Sequence, residues 1–332
     1  MQLPSSSPHP FSRVYTLFRQ GFAVNPLLAL MGLACLVALV GTLIGLVVDH
    51  RVITGAPAWL KPAKFAISVS IYCFTMLWIM SFVKGHKRLI QWVANGMAIG
   101  FLVEMCILIT QVLRDTTSHF NISTPLDGGL YTMMAVFIVI VWILTLLVGL
   151  LLLFQRGLDP AFAWALRLGI VLALIGMALG FLMTSRPTPE QQATMHAHKP
   201  LTTMGAHSVG VPDGGPGLPL VGWSTIGGDL RIPHFVGLHA LQVLPLLWWL
   251  LSLPWLGWLR RGHRVALVWL GSGSYLGLIA LLTWQALRGQ SIIAPDAQTF
   301  LAFTLLSGVT IASAAVVIWH ARTSLSSRVV PA

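Results

Sequence analysis

The run Leu130-Tyr-Thr-Met-Met-Ala-Val-Phe-Ile-Val-Ile-Val-Trp-Ile-Leu-Thr-Leu-Leu-Val-Gly-Leu-Leu-Leu-Leu-Phe154 decides the fold class, because none of its 25 positions carries a charge. About 20 apolar residues of helix cross the hydrocarbon core of a bilayer, so this run is long enough to span one. Seven further apolar runs match it, at roughly 25–48, 64–83, 89–113, 161–183, 234–255, 265–287 and 298–319. They predict an all-α polytopic membrane bundle of eight transmembrane helices. The segments between them are mostly short, so neighbouring helices should pack antiparallel.

Composition agrees. Of 332 residues, 56% are hydrophobic and 9% charged, with a mean hydropathy of +0.82. A soluble domain carries about a quarter charged residues. The formal charge of +11 reads as topology signalling and attraction to anionic headgroups. The expected partners are therefore the lipid bilayer and a lipid-phase small molecule, with no nucleic acid. Cys35, Cys73 and Cys106 fall inside spans without a CxxC pattern and read as packing residues. The first 22 residues lack a short apolar core with a small-residue cleavage site. The first helix is expected to be an uncleaved anchor.

With the N-terminus inside, 12 Lys and Arg fall on the inner side and 8 on the outer. The clusters Lys84-Gly-His-Lys-Arg88 and Arg260-Arg-Gly-His-Arg264 decide the orientation. The expected plan is one membrane domain, 1–332. It has a cytoplasmic segment 1–24, an extracytoplasmic cap loop 184–233 and a cytoplasmic tail 320–332. Asp49, Asp115, Asp127, Glu190, Asp213, Asp229 and Asp296 all lie on the outer side, as do seven of the 11 histidines. A chemically mixed outer face beside a simple basic inner one places the functional site outside. Four Gly-x-x-x-Gly pairs, starting at Gly41, Gly96, Gly176 and Gly273, permit close helix approach, read as packing within one bundle with a dimer face as the alternative.

Glu104 lies about nine residues, on the order of 13 Å, from the outer end of the third span. An ionisable group there is costly and faces the bundle interior or a wet cavity. Gly100, Glu104 and Gln111 share one face. In the second span, Lys61, Lys64, Ser68, Tyr72 and Thr75 form a polar stripe at helical spacing. The bland reading is snorkelling for Lys64 and backbone hydrogen bonds for Ser68 and Thr75. Beside Glu104 the stripe suggests a hydrated cavity. In the sixth span His239 and Gln242 share a face, His234 points away, and Pro245 is placed to kink the helix. Glu104 and His239 are thus the candidates for proton transfer. Lys64, Ser68, Tyr72, Arg114, His119, Asn121, Arg231 and Gln242 are the candidates for contacting substrate.

His196-Ala-His198 can aim two imidazoles alike if the chain is extended, and His207 adds a third. With His239 they are the candidate ligands for a metal ion, although the spacing matches no strong metal motif. The loop Arg114–Asp127 is dense in hydrogen-bonding groups and can cap the same cavity, or simply form an ordered turn. It contains Asn121-Ile-Ser123, a glycosylation sequon relevant only in a secretory compartment. Asp213-Gly-Gly-Pro-Gly lacks the Lys-Ser/Thr of a phosphate loop and reads as a folded turn.

Three stretches, Lys61-Pro-Ala-Lys-Phe65, Arg114-x4-His-Phe-Asn121 and Gly228-Asp-Leu-Arg-Ile-Pro-His-Phe-Val-Gly-Leu-His239, resemble a group of bacterial polytopic membrane proteins. They cover 25 of the 332 residues. The resemblance implies a bacterial inner membrane and no particular mechanism. The haem A synthases also have eight spans but place paired histidines in several of them. Here the fourth span has no His and the eighth only His320.

The leading expectation is a membrane-embedded enzyme, a metal- or haem-assisted oxidoreductase acting on a lipid-phase substrate at the outer face. The alternatives are a proton- or ion-coupled transporter or channel, and a non-catalytic assembly or sensing protein. The segment 184–231 is expected to be a folded cap anchored by Leu218, Leu220, Val221, Trp223 and Ile226.

Overall fold

The computed structural model describes residues 19–185 and 187–326, with side chains to residue 324. Arg13, Arg186 and Arg328, counted above for orientation, lie outside the described residues, as do most of the N-terminal segment and the end of the tail. The chain is all-α. In order it forms α1 (Pro26–Val48), a two-residue hairpin β1–β2 (Val52–Ile53, Ala56–Pro57), α2 (Leu60–Met80), α3 (Lys87–Leu113) and α4 (Pro125–Leu153). Next come α5 (Pro160–Leu179), the short α6 (Phe181–Thr184) and α7 (Pro189–His196), then strands β3 (Ser208–Val209) and β4 (Gly228–Asp229). The chain ends with α8 (Arg231–Leu238), α9 (Ala240–Leu251), α10 (Arg261–Leu287) and α11 (Ala297–Ser326).

Four helix starts follow one chemical rule. At Asn25-Pro26, Thr124-Pro125, Asp159-Pro160 and Thr188-Pro189, a capping side chain accepts a free first-turn N–H while proline occupies the first helical position. Thr188 and Gln191 complete a reciprocal capping box. Asn25 also donates to Gln91 and Asn95, at 2.6 and 2.8 Å, tying α1 to α3.

Among the described residues, seven helices are long and apolar enough to cross a membrane, and α8 with α9 makes an eighth if the bent pair is one span. The architecture is that of a multi-pass membrane protein. Its core sits between α2, α3, α4 and α5, around Met76, Met97, Leu108 and Ile170. Large apolar side chains such as Val37, Val47, Ile143 and Ile311 cover the outside, as lipid-facing surfaces require. The outermost helix, α11, has no buried residue in its spanning window and packs on α10.

Two expectations are corrected. The sixth span bends by 45° between α8 and α9, at His239 and not at Pro245. Gly237 sets the position. Without a side chain it lies against the backbone of Gly176 in α5, and the chain turns just after that contact. Residues 187–231 do fold into a cap over one end of the bundle, but not through the five expected anchors. Leu220 and Ile226 are 81% and 57% exposed, and the other three are half-buried. Polar contacts hold the cap together. Gln191 exchanges hydrogen bonds with Gly205, Thr203 pairs with Asn121, and β3 pairs with β4 so that Ser208 faces Asp229. The apolar anchor is instead the cluster of Phe120, Met183, Leu230 and Ala286.

Candidate functional site

Beneath the cap lies one cavity of about 1170 Å³. Its walls come from α2, α3, α4, α5 and α8, and its roof from the 114–124 loop and the cap. Glu104, Lys64, Ser68, Tyr72, His119, His207, Arg231, His239 and Gln242 all line it. So do Lys61 and His234.

Glu104 is buried. Its Oε1 lies 3.7 Å from Nε2 of His119, too far for a hydrogen bond. Its Oε2 is buried with no partner, at a cost of about 1–3 kcal/mol if nothing else reaches it. Lys61 lies close enough on the neighbouring helix to interact with it through charge. Tyr72, one turn below Ser68, bonds Thr145 of α4, whose hydroxyl donates to Val141 O at 2.7 Å.

The 114–124 loop aims His119. Phe120 is 5% exposed and sits in the left-handed region at φ +63°, uncommon for so bulky a residue. Strain of this kind costs about 1–3 kcal/mol and persists only where surroundings enforce it. They do: Met204 N donates to Phe120 O at 2.9 Å, and the ring packs on Tyr131 and His207. The turn leaves His119 facing Glu104, with Ser118 Oγ 3.2 Å from its Nδ1. Burial holds the His119 pKa well below the usual histidine value, and the charges of Lys61, His207 and His234 push it the same way.

Two further imidazoles are oriented through Nδ1. His207 Nδ1 donates to Asp213 Oδ2 at 2.7 Å, and Asp213 also accepts from the backbone N–H of His207 and Ser208. His234 Nδ1 donates to Gly176 O at 2.7 Å. In both neutral rings the lone pair then sits on Nε2, which is the basic and nucleophilic nitrogen. Burial lowers the His207 pKa and outweighs the opposing pull of Asp213. For Asp213, burial alone would raise the pKa, but the hydrogen bonds and charge of His207 hold it low.

Cations mark the rim. Lys64 Nζ donates to Val221 O at 2.8 Å. Arg231 is held by the buried Asp229 and by Gly222 O. Gln242 donates to Thr75 Oγ1 at 3.0 Å, while its own oxygen is buried without a partner.

Four candidates fall elsewhere. Arg114 pairs with Asp127 at 2.6 Å, which closes the α3–α4 corner and does not line the cavity. Asn121 is buried and spent on Thr116, Thr117 O and Ser123. His196 and His198 are exposed. The extended backbone they needed is absent, because His196 ends α7 and His198 adopts φ +52°. His207 is turned to Asp213 instead. Among the described residues no three His, Cys, Asp or Glu side chains converge on a shared ion position, so the expected metal set does not assemble. His234, assigned to the opposite face by regular helical spacing, lines the cavity beside His239.

Comparison of the chain with protein-family models, curated proteins and solved structures returns no match.

Proposed function

We propose that this protein is a membrane-embedded enzyme that carries out proton transfer on an amphipathic, lipid-phase substrate such as a quinone or a lipid. The observation that carries the reading is the Glu104 carboxyl group. One of its oxygens is an unpartnered, buried acceptor in a cavity that also holds His119, His207 and His234. An acid–base group gains catalytic use when it can reach a bound proton at hydrogen-bond distance. Glu104 meets that need if a substrate head group fills the space beside it, with His119 as the second proton-handling group. Lys61, Lys64 and Arg231 are placed to hold an anionic or carbonyl-bearing head. Phe101, Met134 and Trp142 offer apolar wall for the rest of the molecule. The basic inner loops support placing the site at the outer face of a bacterial inner membrane.

The test uses decylubiquinone as probe on purified protein, with tryptophan fluorescence as readout because Trp142 lines the cavity. Saturable quenching is expected for wild type. Glu104→Ala and His119→Ala should abolish it or weaken it at least tenfold, at unchanged thermal stability. No saturable binding of this quinone or of lysophospholipid would sink the reading. An absorption spectrum with metal analysis on the same sample reports any metal or haem. A second reading, a proton-coupled transporter, is favoured by the broken α8–α9 span, since transporters place their sites at discontinuous helices. Proton-coupled flux in liposomes without substrate conversion would select it.

A further inference from the structure

The polar stripe of α2 and the α8–α9 pair face each other across the cavity, and their spacing changes along the bundle. The Gln242–Thr75 hydrogen bond joins them at mid-height. On the side away from the cap, Trp78, Phe82, Phe162 and Trp248 pack ring on ring, with centroids 4.3–5.8 Å apart, and shut the bundle. On the cap side the two elements part. Ser68 and Ile71 line the cavity from α2, and Leu238 and His239 line it from the other side. Ile71 is 41% exposed although it is a cavity wall, and His239 is likewise exposed. The 45° bend falls at His239, within this gap.

A hairpin of residues 217–224 crosses the top of the gap. It is closed by Leu218 N–H to Trp223 O and by Gly222 N–H to Leu218 O, both 2.8 Å. It is tied to both sides of the opening. Lys64 of α2 bonds Val221 O at 2.8 Å, and Arg231 of α8 bonds Gly222 O at 2.6 Å. Thr75 lies eleven positions after Lys64, and Gln242 eleven after Arg231, so the opening is about 16 Å tall on each side.

We propose that this opening is a lateral portal by which an amphiphile leaves the bilayer and enters the cavity, head group first, with its chain trailing into lipid. The inference rests on the functional reading given above and specifies the route and form of its substrate. The flanks identify the medium outside. Ile67 on α2 and Val243 and Leu246 on α9 are 44%, 37% and 51% exposed, as expected beside acyl chains and not beside water. The Leu220 tip of the hairpin, 81% exposed beside the Lys64 and Arg231 cations, suits the boundary of headgroups and acyl chains. A substrate arriving there passes two cations before it reaches Glu104, which selects for an anionic or carbonyl-rich head.

The portal can be tested without an enzyme assay. In chain carrying Cys106→Ala, bimane is attached at Ser68→Cys or Leu238→Cys, with Val243→Cys as the lipid-facing reference and Lys199→Cys on the cap as the aqueous one. The proteins are placed in phosphatidylcholine vesicles with nitroxide on the acyl chain. Quenching at positions 68 and 238 is expected to approach that at 243 and to exceed that at 199 several-fold. Ile71→Trp should lower quenching at 68 and leave 243 unchanged. Because the two labelled sites are independent, failure of one variant to fold leaves the other to decide. Quenching at 68 and 238 by aqueous iodide but not by the nitroxide lipid would overturn the portal, showing a cavity open to water alone. Lipid quenching at both sites together with loss of quinone binding to wild type would leave the portal standing and count against the proton-transfer reading.

Discussion

Gly176 and Gly237 meet backbone to backbone: a Cβ on Gly237 would lie 2.4 Å from Cα of Gly176. The same Gly176 offers its carbonyl to His234 Nδ1. One close approach therefore sets both the bend after α8 and the aim of a cavity histidine. Backbone cannot rotate aside as a side chain can, so Gly176→Ala and Gly237→Ala should each cost about 1–3 kcal/mol. Gly41 and Gly273 belong to the same Gly-x-x-x-Gly pattern, yet a Cβ on either meets nothing within 4 Å. Alanine there should be neutral, or stabilise by up to about 1 kcal/mol through helix propensity. Thermal melts of the four variants in one detergent check the ranking, and equal losses at all four would contradict it.

Asp213 holds His207 by side chain and backbone at once. Asp213→Asn keeps the shape but removes the charge that orients the imidazole. The backbone bonds weaken at a cost on the order of 1–3 kcal/mol, and that cost is local to the cap. Hydrogen exchange should quicken across residues 205–230 while the spans stay protected. Exchange unchanged in the cap would show that the dyad does not hold it.

Most of this architecture could be read from residue order, because a membrane span needs only length and apolarity to declare itself. Glu104 and the Lys64–Ser68–Tyr72 stripe were legible for a related reason, since a polar group on an apolar helix has few places to go. Geometry that depends on broken periodicity was not. Regular spacing puts His234 on the wrong face because the helix does not run straight through His239 but bends there by 45°. The His119–Glu104 approach depends on a left-handed Phe120, which no propensity favours. Arg114 drew attention as a cation near the site, whereas Asp127, thirteen residues on, is what it serves. The His207–Asp213 pair had a usable signal in its six-residue separation, but a glycine-rich turn masked it.

Arg114 and Glu104 should separate cleanly in mutants. Arg114 is about one-third exposed, and Asp127 keeps its bonds from Thr124 and Gln111 when the arginine is gone. Arg114→Ala is expected to cost no more than about 1 kcal/mol and to leave quinone binding within twofold of wild type. Glu104→Gln should do the reverse, preserving stability while removing function. Binding and melting curves on both proteins decide this, and a binding loss in Arg114→Ala would return that residue to the site.

Acid should loosen the cap before it unfolds the bundle. His119 and His207 both titrate below the ordinary histidine value, and for each the first cause is burial. Lys61, His207 and His234 add to it at His119. At His207, Lys61 and Arg231 add to it while Asp213 opposes. Each is therefore neutral when folded at a pH where the unfolded chain would already be protonated. The unfolded state binds more protons between the ordinary value, about 6.5, and the lower folded value, so stability falls as pH drops through that window. Above it, neither histidine contributes any pH dependence. Asp213 works in the same direction at lower pH, because its depressed pKa stabilises the fold until acid protonates it. Limited proteolysis of residues 187–230 should thus accelerate as pH falls from 7 toward 5. His207→Gln should flatten the profile by removing one of the two titrating rings, and His119→Gln should do the same independently. Cleavage that is constant across this range, or a wild-type slope retained in the double variant, would show that these imidazoles are not what couples the cap to pH.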